Sequence, residues 1–455
     1  MFVGREEELK TLREALKKRS AAVLVYGKRK VGKTTIINKV LEESSDKNVY
    51  YECIKSTIKD NVSGLTDVLF QKGIIPVRFE FSSFQDVFAY LNSLKDTFNV
   101  VIDEYPYLKQ FEASETVDSI FQSIIDQRLT NVRLFISGSH VGMMKHLLRE
   151  SNALYGRFSI VLKLNELNYL EASEFYKEKN VYDKVALYSV FGGSPFVNEF
   201  LEQTKTLKEN VTQIILNTSS AVFSYAERLL LSDFSGVINT ERIFAAIGNG
   251  KKKYGEIEQK LNLPNNGLLS KQLKTLIDME LIRKTAPLNK IDDNKKASYE
   301  INDNLLRFYY AYVYKNKSAL VTLGASAFYD EYIAPSITTF ISHRFEDIVK
   351  SYFSLAVKKG LYDGVRNIGS YYYDDPSTKT NGEFDVAIER RNGYDIFEVK
   401  YLSAPLSLKE MEQELSQVKA IKGIKINAAG FVSISGFKET PLNFPCLTGD
   451  DIYNI

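Results

Sequence analysis

Two periods of apolar spacing alternate along the first third of the chain. Leu9, Leu12 and Leu16 recur at helical spacing among charged residues, so residues 5–19 read as an amphipathic helix. AAVLVY (21–26) is a continuous apolar run, the pattern of a strand buried on both faces, and it leads into a glycine-bearing loop and the helical TTIINKVLEES. NVYYECI (48–54), FNVVIDE (98–104) and RLFISGS (133–139) are further strand candidates, with helical stretches between them. This βα alternation predicts a parallel sheet covered on both faces.

From about residue 165 to 235 the strand signals fade, and a mostly helical segment is broken at Gly192-Gly193-Ser194-Pro195. Three short helical pieces follow, TERIFAAIG, YGEIEQKLN and LLSKQLKTLIDMEL, the last after Pro264-Asn265-Asn266-Gly267. IRKTAPL and ASYEI are strand-like and joined by the lysine-rich NKIDDNKK, so three helices precede a β-hairpin, the order of a winged helix-turn-helix. LLRFYYAYVYKNK is an aromatic helix expected to pack between domains. A new unit from about 336 reads as helix (TTFISHRFEDIVKSYF), strands (IGSYYYDD, GEFDVAIE, YDIFEVKY), helix (LKEMEQELSQVKAIK) and strand (NAAGFVSIS). Internal repeats and low-complexity linkers are absent from the sequence.

Composition narrows the classes. A chain of 455 residues is long enough for several domains, and 44% hydrophobic with 25% charged residues allows large cores. Lys plus Arg (59) nearly balances Asp plus Glu (57), so any nucleic-acid surface must be local. Cys53 and Cys446 make no disulfide framework, and His140, His146 and His343 have no metal-ligand spacing. MFVGREEEL has no apolar signal region, and no run reaches the ~18 apolar residues of a membrane span. A cytoplasmic protein with no membrane partner is expected, and Asn61-Val62-Ser63 is not read as a glycosylation site.

Gly27-Lys28-Arg29-Lys30-Val31-Gly32-Lys33-Thr34 satisfies G-x-x-x-x-G-K-[ST] between a strand and a helix, with Thr35 following on the helix. The two glycines let the backbone wrap phosphates, and the helix N-terminus offers free N–H groups. Lys33 is placed for the β- and γ-phosphates of ATP, and the Thr34 hydroxyl for Mg²⁺. VVIDEY supplies Asp103 as a second Mg²⁺ contact through water and Glu104 to orient and polarise the attacking water. A strand candidate between the two motifs puts the chain in the class where Glu104 acts as base.

GEFDVAIERRNGYDIFEVKY carries a second constellation. Asn392-Gly393 signals a hairpin, Asp385 lies on its first strand, and Glu398 and Lys400, two apart, share one face of its second. Paired around the turn, Asp385 can lie across from that face. Two carboxylates and a lysine there suit a metal ion and a water oriented for phosphodiester attack.

FVGREEEL, the P-loop, VIDEY, FISGSHVGMM, LYGRF and GGSPFVNEFL together resemble the archaeal-type AAA+ ATPases, relatives of origin-recognition and signal-transducing (STAND) ATPases. The resemblance implies that Val3, Gly4 and Arg5 line the adenine pocket and that Ser137 or Ser139 is sensor 1. It makes Arg157 the candidate arginine finger, acting in trans only in an oligomer. No sensor 2 arginine is evident. The C-terminal pattern resembles the PD-(D/E)XK nuclease core, departing from it in having Phe384 where that family has proline. That resemblance implies Glu346 as an additional acidic metal ligand with Asp385 and Glu398, Mg²⁺ or Mn²⁺ as the ion, and Gln413 or Gln417 as DNA or metal contacts.

The expected fold class is α/β and multidomain. It comprises a P-loop AAA+ parallel sheet (1–164), a helical lid (165–235), a winged helix (236–302), a helical connector (303–335) and a restriction-endonuclease-like α/β domain (336–455). In the third winged-helix helix, Leu269, Leu273, Leu276 and Ile277 are expected to be buried, and Lys271, Gln272, Lys274 and Thr275 to face outward. Lys251, Lys252, Lys253, Lys290, Lys295 and Lys296 would add charge for DNA phosphates. The function expected is a Mg²⁺-dependent ATPase whose nucleotide state controls a DNA-acting nuclease-like domain, in defence, mobile-element or repair roles, with a homo-oligomer or partner protein. Its rivals are an ATP-switched regulator or scaffold with an inactive C-terminal domain, and an origin-type initiator or loader.

Overall fold

Five strands of the computed structural model, β1 (Ala21–Tyr26), β2 (Lys47–Glu52), β3 (Phe98–Asp103), β4 (Val132–Gly138) and β5 (Ile160–Lys163), form one parallel sheet in the order β2-β3-β4-β1-β5. The structure describes residues 2–233, 240–263, 267–375, 380–421, 423–439 and 443–455; the expected turn at Pro264-Asn265-Asn266 lies outside them. The chain divides into two units, one running to Leu167 and including Ser194–Phe196, the other comprising Asn168–Gly193 and Val197–Ile455.

The first unit shows why its strands read as unbroken apolar runs. On one face, Leu24 and Tyr26 of β1 pack with Val49, Val100 and Leu134 under the helices Ile58–Gln71, Phe84–Ser93 and Ser114–Arg128. On the other, Val23 and Val25 pack with Phe135, Leu9, Leu12, Ile36 and Ile37. Strands covered on both sides are mostly apolar, and the buried exceptions Asn99 and Arg133 are hydrogen-bonded. The expected helix at 5–19 spans Glu6–Leu16.

Two expectations change here. β5 has no counterpart among the expected strands: it has only four residues, pairs with β1 alone, and leaves Val161 exposed. The strand lying between β1 and β3 in the sheet is β4, not the NVYYECI strand that lies between the two motifs in sequence. That segment forms β2 at the sheet edge, where Lys47 and Glu52 are exposed and Val49 and Tyr51 are buried. An edge strand needs less apolar cover than a central one.

In the second unit, the helices Tyr169–Ser173, Val181–Phe191, Leu207–Ile214 and Ala221–Asp233 come first. Then follow Thr240–Ile247, β6 (Lys252–Lys253), Tyr254–Leu261, Leu268–Asp278, β7 (Ile282–Thr285) and β8 (Ser298–Ile301), the strands ordered β6-β8-β7. Leu269, Leu273 and Leu276 are buried, but so is Gln272, which the pattern had facing outward. Ile277 is only half-buried, so the buried stripe is rotated toward Gln272. Tyr309, Tyr310 and Tyr312 of the aromatic connector are buried.

The helix Ile337–Lys358 precedes β9 (Val365–Asp375), β10 (Thr380–Arg390), β11 (Gly393–Lys400), the helix Leu408–Ala420, β12 (Ile426–Ser433), β13 (Cys446–Thr448) and the helix Gly449–Tyr453. The sheet order is β13-β12-β11-β10-β9, antiparallel from β9 to β11 and parallel from β11 to β13. Phe345, Val349 and Phe353 pack on Val386, Phe397 and Val399, and Tyr169 and Val185 from the first helices join this core. Met411, Leu415 and Val418 cover the opposite face. No helix among the described residues is long and apolar enough to cross a membrane.

Candidate functional site

In the first unit, residues 27–32 carry the chain from β1 into the helix Lys33–Glu42. A Cβ at Gly27 would fall 2.1 Å from the Leu164 carbonyl oxygen, so only hydrogen fits. Gly32 begins the helix at φ 93, in the left-handed region that favours glycine, and no side chain caps it. An uncapped N-terminus presents its N–H groups to an anion. Lys33 Nζ folds back to donate to the Gly27 (3.1 Å) and Lys28 (3.0 Å) carbonyls.

β3 delivers the acidic residues. Thr34 Oγ1 donates to Asp103 Oδ2 at 2.9 Å, and the Tyr50 hydroxyl donates to the same oxygen. Burial, then the hydrogen bond and charge of Asp103, push the Tyr50 phenol up. Thr34 and Asp103 thus set two hard oxygen donors side by side, a set that fits Mg²⁺. Glu104 takes φ 48, unusual for a side-chain-bearing residue, and its N–H donates to Asp103 Oδ1 at 2.9 Å. This turn aims its carboxylate at β4, where Oε2 accepts from the Ser139 N–H (3.2 Å) and Oγ (2.9 Å).

The structure separates the two serines considered. Ser139 meets Glu104 and is also approached by Arg29 Nε at 3.4 Å, whereas Ser137 Oγ is buried with no hydrogen-bond partner among the described residues. Arg29 also donates to the Tyr107 hydroxyl at 3.0 Å. Val3 and Gly4 are half-buried. Arg5 is buried and donates to the Val31 (3.2 Å) and Asn165 (2.6 Å) carbonyls, tying the N-terminal segment to the loop. Lys28 Nζ lies 3.5 Å from Glu166, Lys30 Nζ lies 4.4 Å over the Phe196 ring, Val31 is buried, and Thr35 is exposed. Arg157 Nε donates to both Asp126 carboxylate oxygens at 2.9 and 3.0 Å within its own chain.

Several contacts had no local signal. Tyr50 reaches Asp103 only because β2 pairs with β3 in register. Ser194 Oγ donates to the Lys30 carbonyl at 3.2 Å, so the Gly-Gly-Ser-Pro break returns the chain to the P-loop.

In the second unit, the register Arg390↔Gly393 leaves Arg391-Asn392 as a two-residue loop, and Gly393 takes φ 113. Asp385 Oδ2 accepts from the Val399 N–H at 2.9 Å, which places it against the Glu398–Lys400 segment. Burial and then Glu346 push the Asp385 carboxyl up to about 6. Burial and then Asp385 push Glu398 up to about 8. Lys400 Nζ lies 3.7 Å from Glu398 and 2.9 Å from Glu414, a partner the sequence reading lacked. Glu346 Oε1 lies 3.2 Å from His343 Nδ1.

A cavity of about 390 Å³ at this site is lined by Glu398, Lys400, Glu414, Gln413 and Glu383 among others. The Gln417 side chain lies outside the described residues. No group of three or more His, Cys, Asp or Glu side chains among the described residues is arranged to hold a metal ion. Burial first and neighbouring acids second raise both Asp385 and Glu398, and a divalent cation beside them would lower both again.

The model of an ATPase domain predominantly from Archaea matches residues 2–200, and one of archaeal and bacterial proteins of unknown function matches residues 309–415. An uncharacterized protein of Methanocaldococcus jannaschii is 30% identical over 357 residues, covering 77% of each chain. A Walker-type ATPase of Pyrococcus abyssi superposes with a TM-score of 0.51 at 19% identity, over 68% of this chain and 96% of that one. The Aeropyrum pernix ORC2 protein superposes with a TM-score of 0.49 at 11% identity, over 70% of this chain and 95% of that one. The chain is an ATPase with an archaeal-type ATPase domain, and it belongs to the same family as the Methanocaldococcus jannaschii protein.

Proposed function

We propose that ATP turnover at the P-loop controls a nucleic-acid-cleaving site on the β10–β11 hairpin. At the first site, Lys33 would exchange the Gly27 and Lys28 carbonyls for the β- and γ-phosphates, and Thr34 and Asp103 would hold Mg²⁺. When bound, that ion neutralises phosphate charge. Glu104, on leaving Ser139, would take the proton of the attacking water, while Ser139 and Arg29 face the γ-phosphate region. Val3, Gly4 and Arg5 would border the base.

The observation that carries the nuclease reading is the meeting of Asp385, Glu398 and Lys400 across one hairpin. Asp385 and Glu398, with Glu346 nearby, would hold Mg²⁺ or Mn²⁺, and Lys400 would orient the attacking water. When bound, the ion supplies charge stabilisation for phosphodiester attack. The three-helix segment with its hairpin would serve as a winged helix that brings DNA in. Lys251, Lys271, Lys274 and Lys295 are exposed on it. A groove of about 350 Å³, lined by Lys251, Arg283, Lys284, Lys296 and Lys350 among others, shares Glu383 with the cavity at Glu398 and Lys400. Basic side chains along such a path suit a phosphate backbone.

A second reading, in which the hairpin site binds without cutting, is favoured by one observation. Lys400 is paired with Glu414 at 2.9 Å. A cleavage assay on double- and single-stranded DNA and RNA, with Mg²⁺ or Mn²⁺, separates the two. The proposal expects cleavage that Asp385→Ala and Lys400→Ala each abolish. Nucleic-acid binding with no cleavage under any of these conditions would leave the second reading.

A further inference from the structure

A cavity of about 390 Å³ in the second unit shares no lining residue with the cavity at Glu398 and Lys400. It lies among Gly248–Gly250, the aromatic connector and the helix Ile337–Lys358. Its size is that of small-molecule sites, which run from about 300 to 1,000 Å³.

Its charge is one-sided. Arg307 and Arg344 line it, at 3% and 5% exposure, and no carboxylate is among its described lining residues. Both arginines are backed by two acids, Glu300 and Asp347, which must also serve Arg283. Arg283 takes the short contacts, 2.7 Å to Glu300 and 2.6 Å to Asp347. Arg344 is left at 3.3 Å from each acid, both through Nη1, whereas Arg307, at 3.3 and 3.7 Å, also gives Nε and Nη2 to the Ile301 carbonyl. Three guanidiniums against two carboxylates leave one positive charge in excess in this cluster.

One donor there has nothing to bond. Arg344 Nε is buried with no hydrogen-bond partner among the described residues. A buried charged donor left unpaired is costly, and such groups in native proteins point to a strained or functional site. Around the arginines the lining is flat and apolar. Tyr312, Phe340 and Tyr332 line the cavity, Tyr332 stacked on Phe328 with ring centroids 4.8 Å apart. Asn249 and Asn316 add amide groups able to read ring edges.

We propose that this cavity binds a small ligand carrying a phosphate group on a flat ring, of the nucleoside monophosphate class. Arg344, which has the unpaired donor, takes the phosphate, and Arg307, whose nitrogens are held by Ile301 and Asn304, adds its charge from behind. The tyrosine and phenylalanine walls take the ring. The ligand is distinct from the ATP of the P-loop and does not depend on nuclease activity.

The test is calorimetric titration of the full chain carrying Lys33→Ala, so that the P-loop contributes no nucleotide binding. The titrants are AMP, GMP, CMP, UMP and inorganic phosphate. At least one monophosphate is expected to bind saturably at one site. Adding Ala311→Trp, which places a large ring at a position lining the cavity, weakens that binding at least tenfold. Asn249→Leu, at the exposed rim, is the second variant should Ala311→Trp fail to fold, and it is expected to weaken binding and alter the preference among bases. Inorganic phosphate binding as tightly as the best nucleotide overturns the assignment of the ring. Absence of binding by all five titrants, or binding unchanged in the cavity variants, overturns the site.

Discussion

The P-loop site and the hairpin site both depend on acidic residues on β-strands, but they deal with that charge in opposite ways. At the first, each acid is met by donors: Thr34 and Tyr50 on Asp103, and Ser139 on Glu104. At the second, burial and neighbouring acids drive protons back on, Glu346 acting on Asp385 and Asp385 on Glu398. Preorganised donors suit a site that positions a substrate bringing its own charge. A buried pair of acids with too few donors suits a site completed by a cation.

The largest effects test the first half of this contrast. Glu104→Gln keeps the Ser139 hydrogen bond but removes the base, so ATP turnover should fall by about 10²–10⁴-fold with ATP still bound. Lys33→Ala should abolish ATP binding at the P-loop. Steady-state phosphate release and equilibrium nucleotide binding check both, and turnover unchanged in Glu104→Gln would remove that residue from the chemistry.

Behind Glu104 lies a fully buried pair, Lys109 and Asp118, 2.6 Å apart and joined by Tyr105 and Asn152. Asp118→Ala leaves the Lys109 charge buried and should cost about 3–5 kcal/mol in chemical denaturation. A cost below 1 kcal/mol would show that this support is dispensable.

The hairpin site should respond to pH. Both carboxyls are raised in the folded chain, Asp385 to about 6 and Glu398 to about 8, so the folded state holds more protons than the unfolded state above about pH 4. Their stabilising contribution is complete below about pH 4 and is lost as pH rises through 6 and 8. In chelator at pH 8, Glu398→Gln should therefore be more stable than the parent, on the order of 1 kcal/mol. Mg²⁺ or Mn²⁺ should stabilise the parent more than the variant. Equal stability profiles from pH 4 to 9 would mean that the acids do not repel.

The smallest expected effect concerns Arg157. Its half-exposed pair with Asp126 is worth about 0–1 kcal/mol, so Arg157→Ala should scarcely move the melting temperature. Loss of ATP turnover that grows with protein concentration in the parent but not in the variant would assign the arginine to a neighbour's site.

The two sites also differ in how far they could be read in the sequence. Gly27–Thr34 is one contiguous segment whose chemistry is carried by backbone and adjacent side chains, so strand, loop and helix were all visible as a unit. β1, β3 and β4 announced themselves because central parallel strands are mostly apolar, β1 throughout and β3 and β4 apart from Asn99, Asp103, Arg133 and Ser137. β5 did not, since a four-residue edge strand with Val161 exposed resembles any loop. The choice between Ser137 and Ser139 needed the turn at Glu104, whose positive φ no residue pattern signals. At the hairpin, alternation and the Asn392-Gly393 turn placed Asp385 opposite Glu398 and Lys400. Glu414 arrives from a helix after β11, through packing rather than spacing.

The coupling of the two sites is tested most directly by nucleic-acid cleavage measured with and without saturating ATP, in the parent, Glu104→Gln and Asp385→Ala. Cleavage in the parent should change with ATP, stay fixed in its ATP-bound level in Glu104→Gln, and vanish in Asp385→Ala under both conditions. Cleavage that is indifferent to ATP and to Glu104→Gln, or that survives Asp385→Ala, would contradict control of the hairpin site by the P-loop.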